Sequence, residues 1–199
     1  MPSVTLVEYQ NSWPLQFEEV AAAIAHIFAA TPVRIEHIGS TSVPDLCAKP
    51  VLDILLGVED LDAAKSRVAD LAALGYKYKY RPEYEVEIPN GRYFVRAEGT
   101  QLRVHLHAVL QDGELWLKHI AFRDALRTNP ELAREYATLK TRLAILYRDN
   151  NATYTEAKAP FITGVLIKLV AHAAPEGVTH GNVQLGASID CALASFQRM

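Results

Sequence analysis

Residues 33–58, VRIEHIGSTSVPDLCAKPVLDILLGV, decide the fold. Residues 33–38 form a short β-like run, and the Gly-Ser-Thr-Ser sequence of residues 39–42 follows as a polar turn rich in small donors. Residues 51–58 are almost wholly apolar except for Asp53, which is typical of a strand buried on both faces. The segment therefore predicts two strands linked through a polar turn, with one carboxylate inside the second strand.

The rest of the chain adds one helix before this segment, more strands after it and then helices. The spacing of apolar and turn residues predicts an α+β fold with a mixed β-sheet, helices mainly on one side and a C-terminal helical part. Thr153 and Glu156 predict a capping box for the last helix. The predicted helices cover about residues 13–28, 61–74, 115–127, 129–147 and 153–171, and the later strands cover residues 76–80, 84–88, 92–97 and 103–110, with Asn90-Gly91 as a hairpin signal.

Composition and charge narrow the class of protein only slightly. The 199 residues carry a formal net charge of −3, so a nucleic-acid partner is not expected. No apolar run reaches the roughly 18 residues of a membrane span, and the N-terminus lacks the pattern of a secretory leader. Cys47 and Cys191 are expected to be reduced thiols. We predict a cytoplasmic protein with one domain over residues 1–173 and an extension over residues 174–199.

The turn Gly39-Ser40-Thr41-Ser42 is a candidate anion site. Backbone amides and hydroxyls in such a turn can bind phosphate oxygens. An ordinary turn capped by its own hydroxyl side chains would have the same sequence, and the spacing of a P-loop is absent.

Asp53 is a carboxylate within an apolar strand, so its charge needs a cation, a metal ion or hydrogen-bond donors. Lys49 lies just upstream and could supply that charge. Asp53 is therefore either half of a structural ion pair with Lys49 or part of a ligand site.

His105 and His107 are two residues apart on a predicted strand and share one face. Two imidazoles on one face suit a metal ion or proton transfer, and a pair of hydrogen-bonded structural histidines is the alternative. We predict Asp53, His105 and His107 as catalytic residues and as ligands of a divalent ion (magnesium, manganese or zinc). His37 is a weaker candidate for the same set.

Basic residues on the strands and on the later helices could line a cleft for a small anionic ligand such as a nucleotide. Solvated surface positions give a similar pattern. Together with the turn, the candidate ligand-binding residues are Gly39, Ser40, Thr41, Ser42, Lys49, Arg92, Arg96, Arg123, Lys140 and Lys158.

Taken in order, these motifs resemble the GrpB family, also described as UPF0157. The resemblance covers about residues 5–170. It rests on Glu36-His37-Ile38-Gly39-Ser40-Thr41-Ser42-Val43-Pro44, Lys49-Pro50-Val51-Leu52-Asp53-Ile54, Arg92-Tyr93-Phe94, His105-Leu106-His107, residues 116–119, Phe122-Arg123-Asp124, Tyr136, Lys140, Tyr154 and Lys158.

The GrpB family is similar to the nucleotidyltransferase superfamily, and this implies a nucleotidyltransferase-like fold. In that superfamily a Gly-Ser turn precedes a strand with two alternate carboxylates, and a third carboxylate on a later strand helps to hold magnesium ions. Gly39, Ser40 and Asp53 match that pattern. The second carboxylate position is Leu55, however, and the later strand carries histidines. The resemblance therefore implies the scaffold and the cleft more strongly than the reaction.

Two functions are compatible with these residues. The first is an enzyme that transfers a nucleotidyl or related group from a nucleoside triphosphate to a small acceptor. The second is a non-catalytic module that binds an anionic small molecule (a nucleotide or a CoA-like compound) or a partner protein in the same cleft, as Leu55 suggests.

Overall fold

The computed structural model describes residues 3–80, 91–96 and 102–173. The predicted strand over residues 84–88, the turn residue Asn90 and the extension over residues 174–199 lie outside this part of the chain. The chain forms two compact units. The sheet unit is Leu6–Pro130, and the helical unit combines Met1–Thr5 with Glu131–Met199.

The sheet unit contains four helices, five strands and one short 3₁₀ turn in its described part. The elements are α1 (Trp13–Ile27), β1 (Val33–Ile38), the 3₁₀ turn (Ser40–Ser42), β2 (Val51–Val58), α2 (Leu61–Ser66), α3 (Val68–Ala73), β3 (Tyr76–Tyr78), β4 (Gly91–Arg96), β5 (Arg103–Leu110) and α4 (Glu114–Thr128).

The five strands form one sheet in the order β1-β2-β5-β4-β3. The central pair β2 and β5 is parallel, and every other neighbouring pair is antiparallel. The predicted α+β architecture with a mixed sheet is therefore confirmed.

The two faces of the sheet have different roles. On the face that we call the core face, alternate residues of β2 such as Leu52 and Ile54 join Val20 and Ile24 of α1 in the hydrophobic core. The opposite face, which we call the site face, carries Asp53. Because side chains alternate along a strand and paired residues share a face, the strand register fixes which candidate residues can meet.

Helix α4 packs on the site face through Trp116, whose ring fits against Gly57 of β2. Trp116 is 2% exposed, and a β-carbon at Gly57 would lie 2.6 Å from its ring. Gly57 therefore leaves room for the indole against β2. The guanidinium of Arg34 lies 4.8 Å from the centre of the same ring.

Two predicted helices are each divided in the structure. The helix over residues 61–74 breaks at Arg67, which lies between α2 and α3. The described part of the helical unit contains most of α5 (Pro130–Leu146), then α6 (Asn151–Glu156) and α7 (Ala159–Ala173). Pro160 cannot donate an amide hydrogen to the preceding turn, which accounts for the break before α7.

The cap of α6 also differs from the prediction. The side chain of Asn150 accepts a hydrogen bond from the Thr153 amide at 3.1 Å, so Asn150 is the N-cap and Thr153 lies inside the first turn. The predicted capping box of Thr153 and Glu156 is therefore wrong. In the described ranges, no helix has both the length and the apolar character required to cross a bilayer.

Candidate functional site

The turn after β1 is held against Asp53 by the absence of a side chain at Gly39. Gly39 has φ of 69°, a conformation that residues with a side chain rarely adopt. A β-carbon at this position would lie 2.9 Å from the β-carbon of Asp53 and would collide with its carboxylate. Gly39 is exposed and Ser40 is partly exposed. The backbone of the turn and the carboxylate thus form one continuous surface.

The hydroxyls of Thr41 and Ser42 are used within the turn. Thr41 Oγ1 donates to the carbonyl of Val51 at 3.1 Å, and Ser42 Oγ donates to the carbonyl of Gly39 at 2.7 Å. A hydroxyl has one proton to donate. In this conformation both protons are donated within the protein, and Ser40 is the hydroxyl on the partly exposed side. Ligand binding by Thr41 and Ser42 stays a prediction.

His37 supports the turn from the core face. Its Nε2 lies 3.0 Å from Thr41 Oγ1, and since the threonine proton goes to Val51, His37 Nε2–H is the donor. The ring stacks on Phe17, with centroids 4.8 Å apart, and burial lowers the pKa of His37 to about 4. His37 pairs with Ile54 in the strand register, so it lies on the opposite face from Asp53. The structure does not place it in the predicted metal set.

Asp53 and His105 form a dyad at the centre of the site face. They are paired residues of the parallel strands β2 and β5. His105 Nδ1 lies 3.2 Å from Asp53 Oδ1, and Arg103 Nε donates to His105 Nε2 at 3.1 Å. The acceptor role of Nε2 assigns the proton to Nδ1, so the neutral ring donates to the carboxylate and keeps its lone pair on Nε2.

The carboxylate of Asp53 is ionised in this setting. Burial alone would raise the pKa of Asp53, but hydrogen bonds from His105 and His107 outweigh it and hold this pKa well below its ordinary value. Hydrogen bonds to the charged form of an acid favour that form. The negative charge is therefore retained on a side chain that is 30% exposed.

Three further aromatic rings, those of His107, Tyr93 and His119, complete the cluster. His107 Nε2 lies 4.0 Å from Asp53 Oδ1, and the ring of Tyr93 lies 4.9 Å from that of His107. The His119 ring lies 5.7 Å from His107. Burial, followed by the charge of His107, lowers the pKa of His119 to about 3. His119 is therefore neutral near pH 7.

Lys49 belongs to the same charged environment. Burial lowers the pKa of Lys49, while the negative charge of Asp53 raises it and the positive charge of Arg103 lowers it. This electrostatic coupling agrees with a position near the dyad, on the approach to β2. Its predicted role as a ligand-binding residue remains a prediction.

The donor set does not fit a two-magnesium centre. Asp53 is the only carboxylate on β2 and β5, and magnesium prefers oxygen ligands. Both nitrogens of His105 are already used, one toward Asp53 and one toward Arg103. Across residues 3–80, 91–96 and 102–173, no three His, Cys, Asp or Glu side chains are arranged to hold a metal ion. The divalent ion therefore stays a prediction.

Arg123 reaches the start of the turn from α4. Its Nη1 donates to Glu36 Oε2 at 2.7 Å and to the carbonyl of His37 at 3.1 Å, and its Nε donates to Asp124 Oδ1 at 2.7 Å. With 9% of its side chain exposed, Arg123 is an internal contact of the turn. Its predicted role as a ligand-binding residue stays a prediction.

Arg92 and Arg96 lie on the other side of the sheet. On β4 their neighbour Tyr93 pairs with His107, so Tyr93 shares the site face and the two arginines point to the core face. Arg96 lies over the ring of Tyr76, 5.4 Å from its centre. The strand alternation thus places these arginines on the opposite face from Asp53, and their predicted role in ligand binding stays a prediction.

Lys140 and Lys158 belong to the helical unit, where each lies over a tyrosine. The distance from Nζ to the ring centre is 4.9 Å for Lys140 and Tyr136, and 4.6 Å for Lys158 and Tyr154. Lys140 is 2% exposed. Their role in phosphate binding stays a prediction.

Several contacts of the site were not found from the sequence. Glu36, Phe17 and Tyr93 contact candidate residues, yet no local pattern connects them. Glu36 and Arg123 are 87 residues apart. The sequence places Tyr93 beside Arg92 in a predicted strand. Only the register of β4 with β5 shows that its side chain lies on the site face.

Comparison with known proteins gives a consistent family match. The model of the family described as GrpB protein matches residues 3–168. The protein YqkA of Bacillus subtilis is 33% identical over 80% of this chain, and this chain spans 45% of YqkA. The crystal structure of the conserved protein GrpB from Enterococcus faecalis has a TM-score of 0.74 at 34% identity, covering 85% of this chain and 99% of that one.

A weaker likeness is found to a nucleotidyltransferase. Terminal uridylyl transferase 4 from Trypanosoma brucei with bound dUTP has a TM-score of 0.49 at 12% identity, covering 95% of this chain and 67% of that one. A likeness of this size says nothing about the ligand or the reaction of this chain.

Proposed function

Because this chain belongs to the GrpB family, whose model matches residues 3–168, we propose that it is a group-transfer enzyme acting on a nucleoside triphosphate. It transfers a nucleotidyl or related group to a hydroxyl of a small acceptor. The observation that carries this proposal is the Asp53–His105 dyad, which lies beside the exposed Gly39 turn.

The dyad supplies a general base. Asp53 accepts the Nδ1 proton of His105, and the lone pair of the ring is on Nε2. The acceptor hydroxyl gives its proton to Nε2 as its oxygen bonds to the α-phosphorus, and the bond from phosphorus to the leaving pyrophosphate breaks with its electron pair. Asp53 stabilises the imidazolium that forms, as a carboxylate does in other histidine-based sites.

The rest of the site supports an anionic substrate. The exposed backbone at Gly39 and the hydroxyl of Ser40 are next to Asp53 and can face a phosphate. Arg103 lies 3.1 Å from the base nitrogen, and it moves to the phosphate when the acceptor hydroxyl takes its place. A guanidinium there offsets the negative charge that develops on the transferred group.

The first experiment is a thermal-stability screen with ATP, CTP, GTP, UTP and CoA, each with and without magnesium, manganese or zinc. A ligand that binds the folded protein raises its melting temperature by mass action. We expect at least one nucleoside triphosphate to do so. If none changes the melting temperature under any of these conditions, the proposal is wrong.

The second experiment separates chemistry from binding. Asp53→Asn and His105→Gln should keep nucleotide binding within a few-fold and reduce pyrophosphate release about 10²-fold or more, the usual contribution of a general base. Asp70→Asn, at a side chain that is 54% exposed, is the matched control. Loss of folding in Asp53→Asn would instead identify Asp53 as structural.

A second function, a non-catalytic module for a nucleotide or a CoA-like anion, is favoured by one observation. Leu55 occupies the second carboxylate position and is 0% exposed, so β2 offers a single acid to the site. Under this alternative the wild type binds a nucleotide or CoA, and no pyrophosphate is released with any acceptor supplied.

A further inference from the structure

Helix α4 contacts the chain on both sides of the Gly39 turn. One contact is with the end of β1, and the other is with Ser42, the last residue of the turn. Arg123 and Arg127 are four residues apart, so they lie on one face of the helix. Arg123 binds Glu36 and the carbonyl of His37 just before the turn. Arg127 Nε donates to the carbonyl of Ser42, the last residue of the 3₁₀ turn, at 2.9 Å.

The two arginines differ in charge balance. Arg123 is neutralised by Glu36 and Asp124. Within the described part of the chain, no carboxylate forms an ion pair with Arg127. The negative charges of Asp124 and Glu36 act on Arg127 from a longer distance. Its guanidinium still places a positive charge beside the turn, since its Nε donates to the Ser42 carbonyl.

The two backbone hydrogen bonds within the turn are long, although the hydroxyls of Ser42 and Thr41 add side-chain hydrogen bonds. The Ser42 amide donates to the Gly39 carbonyl at 3.2 Å, and the Val43 amide donates to the Ser40 carbonyl at 3.3 Å. Gly39 has φ of 69°, and glycine has more alternative conformations than any other residue. The side-chain contacts of Thr41 and Ser42 restrain the middle of the turn, and Arg127 adds a contact to the carbonyl of its last residue.

We propose that Arg127 is a positioning residue, which holds the Gly39–Ser42 turn in its ligand-facing conformation through the Ser42 carbonyl and adds positive charge for an anionic substrate. Arg123 fixes the preceding end of the turn. The ligand named in this inference rests on the proposed function, whereas the contact that holds the turn does not depend on it.

The test compares Arg127→Gln, Arg127→Lys and the control Arg134→Gln, whose side chain is 75% exposed. Hydrogen exchange of the Ser42 and Val43 amides reports the turn, and dissociation constants for ATP and inorganic triphosphate report the ligand. A charge-assisted hydrogen bond of this type corresponds to roughly a ten-fold effect.

We expect Arg127→Gln to raise exchange at Ser42 and Val43 roughly ten-fold and to weaken binding of both probes by a similar factor. Arg127→Lys should recover part of the affinity through its charge and less of the exchange protection, because an ammonium does not reproduce the guanidinium geometry. Arg134→Gln should change neither quantity.

Unchanged exchange at Ser42 and Val43 in Arg127→Gln would overturn the inference. So would an equal rise across all strands, since that outcome reports global destabilisation. If the wild type binds neither probe, the proposed substrate class fails, and the exchange result still decides whether Arg127 holds the turn.

Discussion

At the scale of single residues, position 39 has two requirements that only glycine meets. Its φ of 69° is unfavourable for a side chain, and an added β-carbon would meet Asp53. The position therefore couples the backbone conformation of the turn to the closeness of the carboxylate.

Gly39→Ala should lower the free energy of unfolding by roughly 2 kcal/mol or more, because backbone strain and a steric collision add. The measurement is urea denaturation followed by circular dichroism. Gly164→Ala is the matched control, since a β-carbon there meets nothing within 4 Å in α7. Alanine in a helix interior should leave stability unchanged or raise it slightly. Equal effects of the two substitutions would contradict this account.

At the scale of elements, β2 has a polar and an apolar position on the same face. Asp53 and Leu55 are two residues apart, and they pair with His105 and His107 of β5. Asp53 is 30% exposed, whereas Leu55 is 0% exposed. On β2 itself, the polar part of this face therefore ends at Asp53, and the next position on the face is part of the packed interior.

Leu55→Asp, which would restore the carboxylate pattern of the wider superfamily, should destabilise the protein by about 3 kcal/mol or more, because a buried charge loses its hydration. It should not create magnesium-dependent stabilisation. Leu55→Met, a change of similar volume, should cost less than about 1.5 kcal/mol. A stable Leu55→Asp protein whose melting temperature rises with magnesium would show that this position can serve as a ligand.

The elements that the sequence predicted well are those with local signals. The boundaries of β1, β2 and β5 follow from apolar runs and the flanking turn, and they match residues 33–38, 51–58 and 103–110. The pairing of Asp53 with His105, and of Leu55 with His107, also follows once β2 and β5 are neighbours. These features depend on residues that are close in sequence or on one strand register.

The contacts that the sequence could not predict depend on faces and on distant partners. Arg92 and Arg96 have the charge expected of an anion site, but their face depends on how β4 pairs with β5. Arg123 also has the charge expected of a ligand residue, but its ion pair with the distant Glu36 is visible only in the structure. Charge and spacing alone do not distinguish an internal arginine from one that faces a ligand.

At the scale of the whole molecule, buried neutral histidines make stability depend on pH. Burial lowers the pKa of His37 to about 4 from an ordinary 6.5, and lowers that of His119 to about 3. The unfolded chain therefore binds these protons first as pH falls. The contribution of His37 to stability is fully present above pH 6.5 and is lost as the pH falls toward 4.

His37→Gln should reduce this acid sensitivity. Each such histidine adds about 1.4 kcal/mol per pH unit to the slope of the free energy of unfolding against pH, within its window. Between pH 6.5 and 4, the slope of the variant should be smaller by the contribution of one histidine. Urea denaturation at several pH values gives the slope. His172→Gln, at an exposed position on α7, is the control. An unchanged slope in His37→Gln would contradict neutral burial of this ring.

The parallel pairing of β2 with β5 has a consequence for how the chain folds. Asp53 and His105 are register partners, yet about fifty residues separate them, and pairings between distant segments form slowly because a long loop must first close. During synthesis, the apolar β2 leaves the ribosome well before its central partner. A nascent chain that ends before Arg103 would expose one edge of β2, and such an edge promotes association with other chains. Formation of the Asp53–His105 contact and burial of this edge are thus the same folding event.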